Sequence, residues 1–127
     1  MGIRDYVRRS ARGASELETD RLCAFFERFH LVNLRDMPTR QRVDVCGEIR
    51  RMSVKPRSGI PAVEVEISDG TGDLTVIFSG RKTIPGITHG RPLAVSGVAH
   101  CEGDRHVMLN PAYRLLPQVE DVADHDD

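Results

Sequence analysis

From residue 42 onward the apolar residues fall at every second position, the period of a half-buried β-strand. Val43, Val45 and Ile49 alternate with Asp44, Cys46 and Glu48, and Met52 and Val54 continue the line, which predicts a long first strand over 42–54. Gly47 interrupts it where a strongly bent strand needs a residue without a Cβ. The stretch Lys55-Pro56-Arg57-Ser58-Gly59-Ile60-Pro61 is predicted to be a loop from its Pro and Gly content. Val63, Val65 and Ile67 then alternate with Glu64, Glu66 and Ser68 as a second strand. Asp69-Gly70-Thr71-Gly72-Asp73 is a hairpin turn, and Leu74, Val76 and Phe78 form the inward face of a third strand. Residues 80–91 contain Gly80, Pro85, Gly86 and Gly90, too broken for a good helix though with room for one turn. Ile84 and Ile87 within that linker are expected to plug one end of a closed sheet. Leu93, Val95, Gly97 and Ala99 mark a fourth strand, and Glu102-Gly103-Asp104 the next turn. Val107 and Leu109 open a fifth strand that runs through Asn110-Pro111 to Tyr113 and Leu115, with Pro111 placed where no ladder donor is needed.

Before residue 42 the period is helical. Ser15-Glu16-Leu17-Glu18 fits a capping box, and Leu22, Phe25, Phe26 and Phe29 follow at the spacing of one helix face. An amphipathic helix is predicted over 16–30. Its apolar stripe is expected to dock on the β-domain or on a second subunit, so these four residues are also the candidate partner or homodimer surface. Pro38 marks the end of the connection. The chain therefore divides into a basic arm and helix (1–41), a β-barrel (42–117) and an acidic tail (118–127) expected to be disordered.

Five short strands, a bent glycine-bearing first strand and a linker between strands three and four match the mainly β, five-stranded Greek-key barrel of the OB type. The same spacing also permits an SH3-like barrel or a small sandwich.

Composition adds bounds rather than new elements. The 127 residues suffice for one domain; 39% are hydrophobic and none is tryptophan. No run approaches the roughly 18 apolar residues of a membrane span. The arginines of residues 1–13 lack a following apolar segment, so no secretory signal is expected. Cys23, Cys46 and Cys101 form no CxxC pair and are expected to be free thiols of a cytoplasmic protein. The net charge of −1 conceals an asymmetry: residues 1–57 hold thirteen Arg/Lys against eight acids, and residues 58–127 hold five against eleven. A basic first half attracts polyanions, and the acidic second half opposes indiscriminate binding.

OB barrels generally bind single strands across strands two and three and the flanking loops. Alternation places Glu64, Glu66, Thr75, Ile77 and Ser79 on that outer face, which thus lacks an aromatic platform and carries two carboxylates. The cations gather elsewhere: Arg50, Arg51, Lys55 and Arg57 near the first loop, Arg81 and Lys82 after strand three, Arg105 and His106 after the turn between strands four and five. If these loops sit at neighbouring rims they are the predicted nucleic-acid contacts, a basic rim, with Arg4, Arg8, Arg9 and Arg12 adding a flexible arm; the alternative is a scatter of solvated surface charges. His100, Cys101, His106 and Cys46 are candidate metal ligands, since neighbouring strands could bring Cys46 towards Cys101, but no pair has zinc spacing. No metal or cofactor is expected. Asp69 and Asp73 flank a turn, where such residues serve turn geometry, and no catalytic motif is present, so no enzymatic activity is expected.

Val45-Cys46-Gly47-Glu48-Ile49 and Ile67-Ser68-Asp69-Gly70-Thr71-Gly72-Asp73-Leu74-Thr75-Val76-Ile77-Phe78 resemble the first three strands of OB-fold nucleic-acid-binding domains, including the tRNA-anticodon-binding type. Ile84-Pro85-Gly86-Ile87, Leu93-Ala94-Val95-Ser96-Gly97 and Met108-Leu109-Asn110-Pro111-Ala112-Tyr113 are similar to the wedge domain of the RecG branch-migration helicase. The whole chain resembles small stand-alone actinobacterial OB-fold proteins. The resemblance implies a non-catalytic module that binds single-stranded or structured DNA or RNA. With no GxxxxGK[ST] loop there is no helicase motor.

Overall fold

The computed structural model describes residues 16–118. A helix, α1 (residues 16–27), is followed by a single 3-10 turn at Leu34–Asp36. The strands are β1 (Arg42–Arg57), β2 (Ile60–Ser68), β3 (Asp73–Ser79), β4 (Pro92–Glu102), β5 (Arg105–Leu109) and β6 (Ala112–Leu115). Their order is β1-β2-β3-β5-β4, and β4 pairs again with β1, which closes the sheet. All these contacts are antiparallel except β3–β5, which is parallel. That closed order, with a parallel β3–β5 contact, is the OB barrel. It removes the open edges that a sandwich or an incomplete barrel would leave.

β1 serves both sides of the closure. Residues 42–48 pair with β4, and residues 48–57 pair with β2. The change of partner falls beside Gly47, where an added Cβ would lie 3.0 Å from the Ser68 backbone. A bulge between Ile49 and Arg51 then sharpens the bend.

Two elements differ from the sequence reading, and the linker 80–91 agrees with it. The predicted loop 55–61 is strand on both sides of a two-residue turn, Ser58-Gly59, with φ of 52° and 79°. Both central residues having φ > 0 is the geometry whose twist suits a tight hairpin. Pro56 and Pro61 face one another near the hairpin tip, where lost ladder donors cost least. The predicted fifth strand breaks at Asn110-Pro111 into β5, which pairs with β3 and the far half of β4, and β6, which pairs with residues 93–96 of β4. Asn110 makes the break: its φ is 46°, its amide donates to the Ile77 carbonyl, and its side-chain oxygen accepts from the Ser79 amide. The linker 80–91 contains no helix.

The main core holds Val45, Ile49, Val65, Ile67, Leu74, Val76, Leu93 and Met108 inside the barrel. Leu34 and Met37 enter it beside the β2–β3 turn, and Ile84 and Ile87 enter it from the linker, as the sequence predicts for the latter pair. A second cluster lies outside the barrel wall. Leu22 and Phe26 of α1 pack on Cys46 of β1, Ala94 of β4 and Leu116, with Phe25, Phe29 and Leu31 at its edge.

The apolar stripe of α1 is thus satisfied within the chain. Leu22 and Phe26 are buried, and Phe25 and Phe29 are half-buried under the guanidinium of Arg28. Of the two surfaces expected to receive the stripe, the β-domain covers Leu22 and Phe26, and Phe25 and Phe29 stay partly exposed. The predicted cap Ser15 lies outside the described residues, and Glu18 bonds Arg21 and Arg50. The basic arm 1–15 and the acidic tail from residue 119 also lie outside them.

Candidate nucleic-acid interface

The β2–β3 turn explains how α1 is held. Asp69 is buried, and its Oδ2 accepts from the Leu34 amide at 2.9 Å. Its Oδ1 accepts from the Thr71 amide, the Thr71 hydroxyl and the Gly72 amide, and the Thr71 hydroxyl accepts from the Arg35 amide. Gly70, with φ of 90°, lies so close that a Cβ would sit 2.6 Å from the Thr19 carbonyl oxygen. The Asp-Gly-Thr-Gly turn is therefore a staple for the N-terminal segment. Its polar atoms are used internally and are not available to a ligand.

An ionic network adds to that staple. Arg21 contacts Glu18 at 2.6 Å and Glu48 at 3.1 Å, and Arg50 contacts Glu18 at 2.7 Å and Glu48 at 2.5 Å. The Arg21 and Arg50 guanidiniums hold the Glu18 carboxyl down at about 2. Arg50, a predicted phosphate contact, is thereby committed to the helix junction.

The opposite wall is the outer face of β1, β2, β3 and β5. The register lays it out in rows: Arg51, Glu66, Thr75 and Val107; then Ser53, Glu64, Ile77 and Leu109; then Lys55, Ala62 and Ser79. Gly80 donates to the Pro61 carbonyl at 2.7 Å, which brings Arg81 and Lys82 beside the β1–β2 hairpin. Lys82 there borders a groove with Met52, Val54, Val63, Ile84 and Ile87. Arg51, Lys55, Arg81 and Lys82 are exposed and have no carboxylate partner among the described residues. These cations form the surviving part of the basic rim.

The rest of the predicted rim is occupied. Arg57, at the hairpin tip, makes a two-pronged contact with Glu102 of the β4–β5 turn. His100 Nε2 lies 3.0 Å from the same carboxylate, and Arg105 lies 3.6 Å from it. Arg57 first, then His100, hold the Glu102 carboxyl at about 2, and the Arg57 guanidinium is pushed up in turn. Arg105 also donates to Glu64 at 3.1 Å. His106 borders a hollow with Glu66, Asp73, Thr75, Asp104 and Arg105, three carboxylates beside one arginine. The sequence carries no local sign of the Arg57–Glu102 and Arg105–Glu64 pairs, whose members stand 45 and 41 positions apart.

Cys46 pairs with Ala94 on β4, seven positions from Cys101, so the two thiols do not approach one another. Burial, with the nearby Asp69 charge, pushes the Cys46 thiol up to about 12, which keeps it protonated and unreactive. Among the described residues no group of three His, Cys, Asp or Glu is placed to hold a metal ion. Nor is any helix among them long and apolar enough to cross a membrane.

No protein-family model matches the chain, and no curated protein matches it. Among solved structures it is similar to a chain from a replication protein A heterotrimer bound to single-stranded DNA, at 19% identity and a TM-score of 0.48. The likeness covers 67% of this chain and 65% of that one. The identification of the barrel as an OB fold rests on its closed strand order, with β1 shared between β2 and β4.

Proposed function

We propose that this chain is a non-catalytic OB module that binds single-stranded or structured nucleic acid through its hairpin-side rim. The observation that carries the reading is a set of exposed cations about the β1–β2 hairpin, Arg51 and Lys55 on its outer face and Arg81 and Lys82 at its edge, free of carboxylate partners among the described residues. Free surface cations on and beside the wall an OB barrel uses for ligands are the expected means of neutralising a phosphate backbone. Phosphate contact positions a strand without reading its sequence, so little base preference is expected. The projecting β1–β2 hairpin exposes Val54 and Ile60, and such side chains suit the wedge-like contact at a fork that the RecG resemblance implies. Kinship with actinobacterial stand-alone OB proteins, and a place in the cytoplasm, belong to the same proposal.

Fluorescence anisotropy with labelled single-stranded DNA, RNA and forked DNA over a salt series tests it. Four neutralised phosphates on a single strand give a log–log salt slope of roughly −3. Absence of binding at micromolar protein in low salt overturns the reading.

A further inference from the structure

Ala62, Ile77 and Val107 lie on the outer wall, away from the main core, yet their exposures are 1%, 0% and 0%. They form a separate apolar cluster. β3 lies between β2 and β5, so the Arg105–Glu64 pair must cross its outer surface. The Arg57–Glu102 pair joins the β1–β2 hairpin to the β4–β5 turn, and the Arg105–Glu102 contact links the two pairs. The wall that an OB barrel offers to a strand is thus crossed by a chain of ion pairs.

The centre of that chain is Glu102. It is taken by Arg57 through a fork-to-fork contact and approached by His100 and Arg105. A phosphodiester presents two anionic oxygens to a guanidinium in the same forked geometry. Glu102 is also free to leave: its side chain is partly exposed, and it precedes Gly103 in a tight turn. We infer that Glu102 holds the place of a backbone phosphate, and that a single strand enters between hairpin and turn by taking Arg57 and Arg105 from it. Withdrawal of the strap uncovers an aliphatic floor at Ile77, beside the partly exposed Leu109, on which bases rest. The inference rests on the nucleic-acid reading above and adds to it an internal competitor for the same cations.

The experiment is anisotropy of a labelled oligothymidylate with the full chain and four variants: E102Q, D104N, R57Q and R57Q/E102Q. D104N makes the same change of charge two positions away, at a carboxylate with no ion pair among the described residues. Release of one partly exposed pair corresponds to tightening of about threefold to fivefold in E102Q. D104N is expected to change affinity less than about twofold, the residue of general charge alone. In the R57Q background the E102Q gain is expected to fall below about twofold, since the competition it relieves is gone. Equal gains from E102Q and D104N, or an undiminished gain in the R57Q background, overturn the inference. Wild-type binding without tightening in E102Q sinks it while leaving the nucleic-acid reading intact. No binding by either protein sinks both.

Discussion

Two ionic networks brace opposite walls of this barrel, and they differ in what stands behind them. At the helix junction, Glu18, Arg21, Glu48 and Arg50 lie beside a buried apolar seam formed by Leu22, Phe26, Cys46, Ala94 and Leu116. The Asp69 staple pins the same segment from another side. Across the β2–β3 wall, Arg57, Glu102, Arg105 and Glu64 join two turns, and beneath them lies only the small cluster of Ala62, Ile77 and Val107. Ion pairs near the surface contribute little by themselves. Where apolar burial and backbone hydrogen bonds fix the geometry, such pairs become permanent parts of the fold. Where they join partly exposed turns alone, their partners can be exchanged for another anion.

The comparison is broken most severely at the seam. Phe26→Ala removes a ring that is 6% exposed and is expected to cost about 3–4 kcal/mol in urea denaturation. A loss below about 1 kcal/mol would mean that α1 does not rest on the barrel. Asp69→Ala comes next. It strips acceptors from the Leu34, Thr71 and Gly72 amides, with an expected loss of about 2–3 kcal/mol in the same assay. Binding by the β2–β3 wall should survive both changes wherever the barrel stays folded.

The other wall is expected to show the opposite pattern. Lys55→Glu with Lys82→Glu should weaken single-strand binding by about tenfold or more and flatten the salt slope by about 1.4. Thermal stability should change little, because neither side chain has an ion partner among the described residues. Loss of stability without loss of binding would reverse the assignment of the two walls.

The smallest effect is one of pH. Glu18 has its folded pKa depressed to about 2 from 4.5, so its pairing stabilises the fold above pH 4.5 and is lost as pH falls towards 2. The carboxylate is partly exposed, so solvent screening keeps the contribution below about 1 kcal/mol. Glu18→Gln should flatten the stability–pH curve within that window, measured by denaturation at a series of pH values. Glu102 titrates in the same window, with Arg57 and His100 as the cause. Its protonation should loosen the strap rather than the fold.

Much of the barrel could be read locally. The period of two located every strand start from Arg42 to Arg105 within a few residues, because one face of each strand is buried and the other is not. Gly47 marked the bend, and Ile84 and Ile87 marked the plug, for the same reason of burial. The hairpin at Ser58-Gly59 was misread as a loop because proline and glycine signal both open loops and tight tips. The break at Asn110 was invisible because a left-handed residue inside an alternating run leaves the alternation intact.

By itself, then, the amino-acid order determined a small domain of alternating strands, a helix with an apolar stripe, and a set of arginines and lysines near the loops and turns. Periodicity and turn chemistry are local properties, and local interactions suffice to specify them. Only the tertiary structure decided what each charged group does. It gave Arg50 to the helix junction and Arg57 and Arg105 to Glu102 and Glu64, and it left Arg51, Lys55, Arg81 and Lys82 without a carboxylate partner among the described residues. The physical reason is distance along the chain. An ion pair forms within 4 Å in space, and the partners that decide these arginines lie up to 45 positions away, brought near only by closure of the sheet.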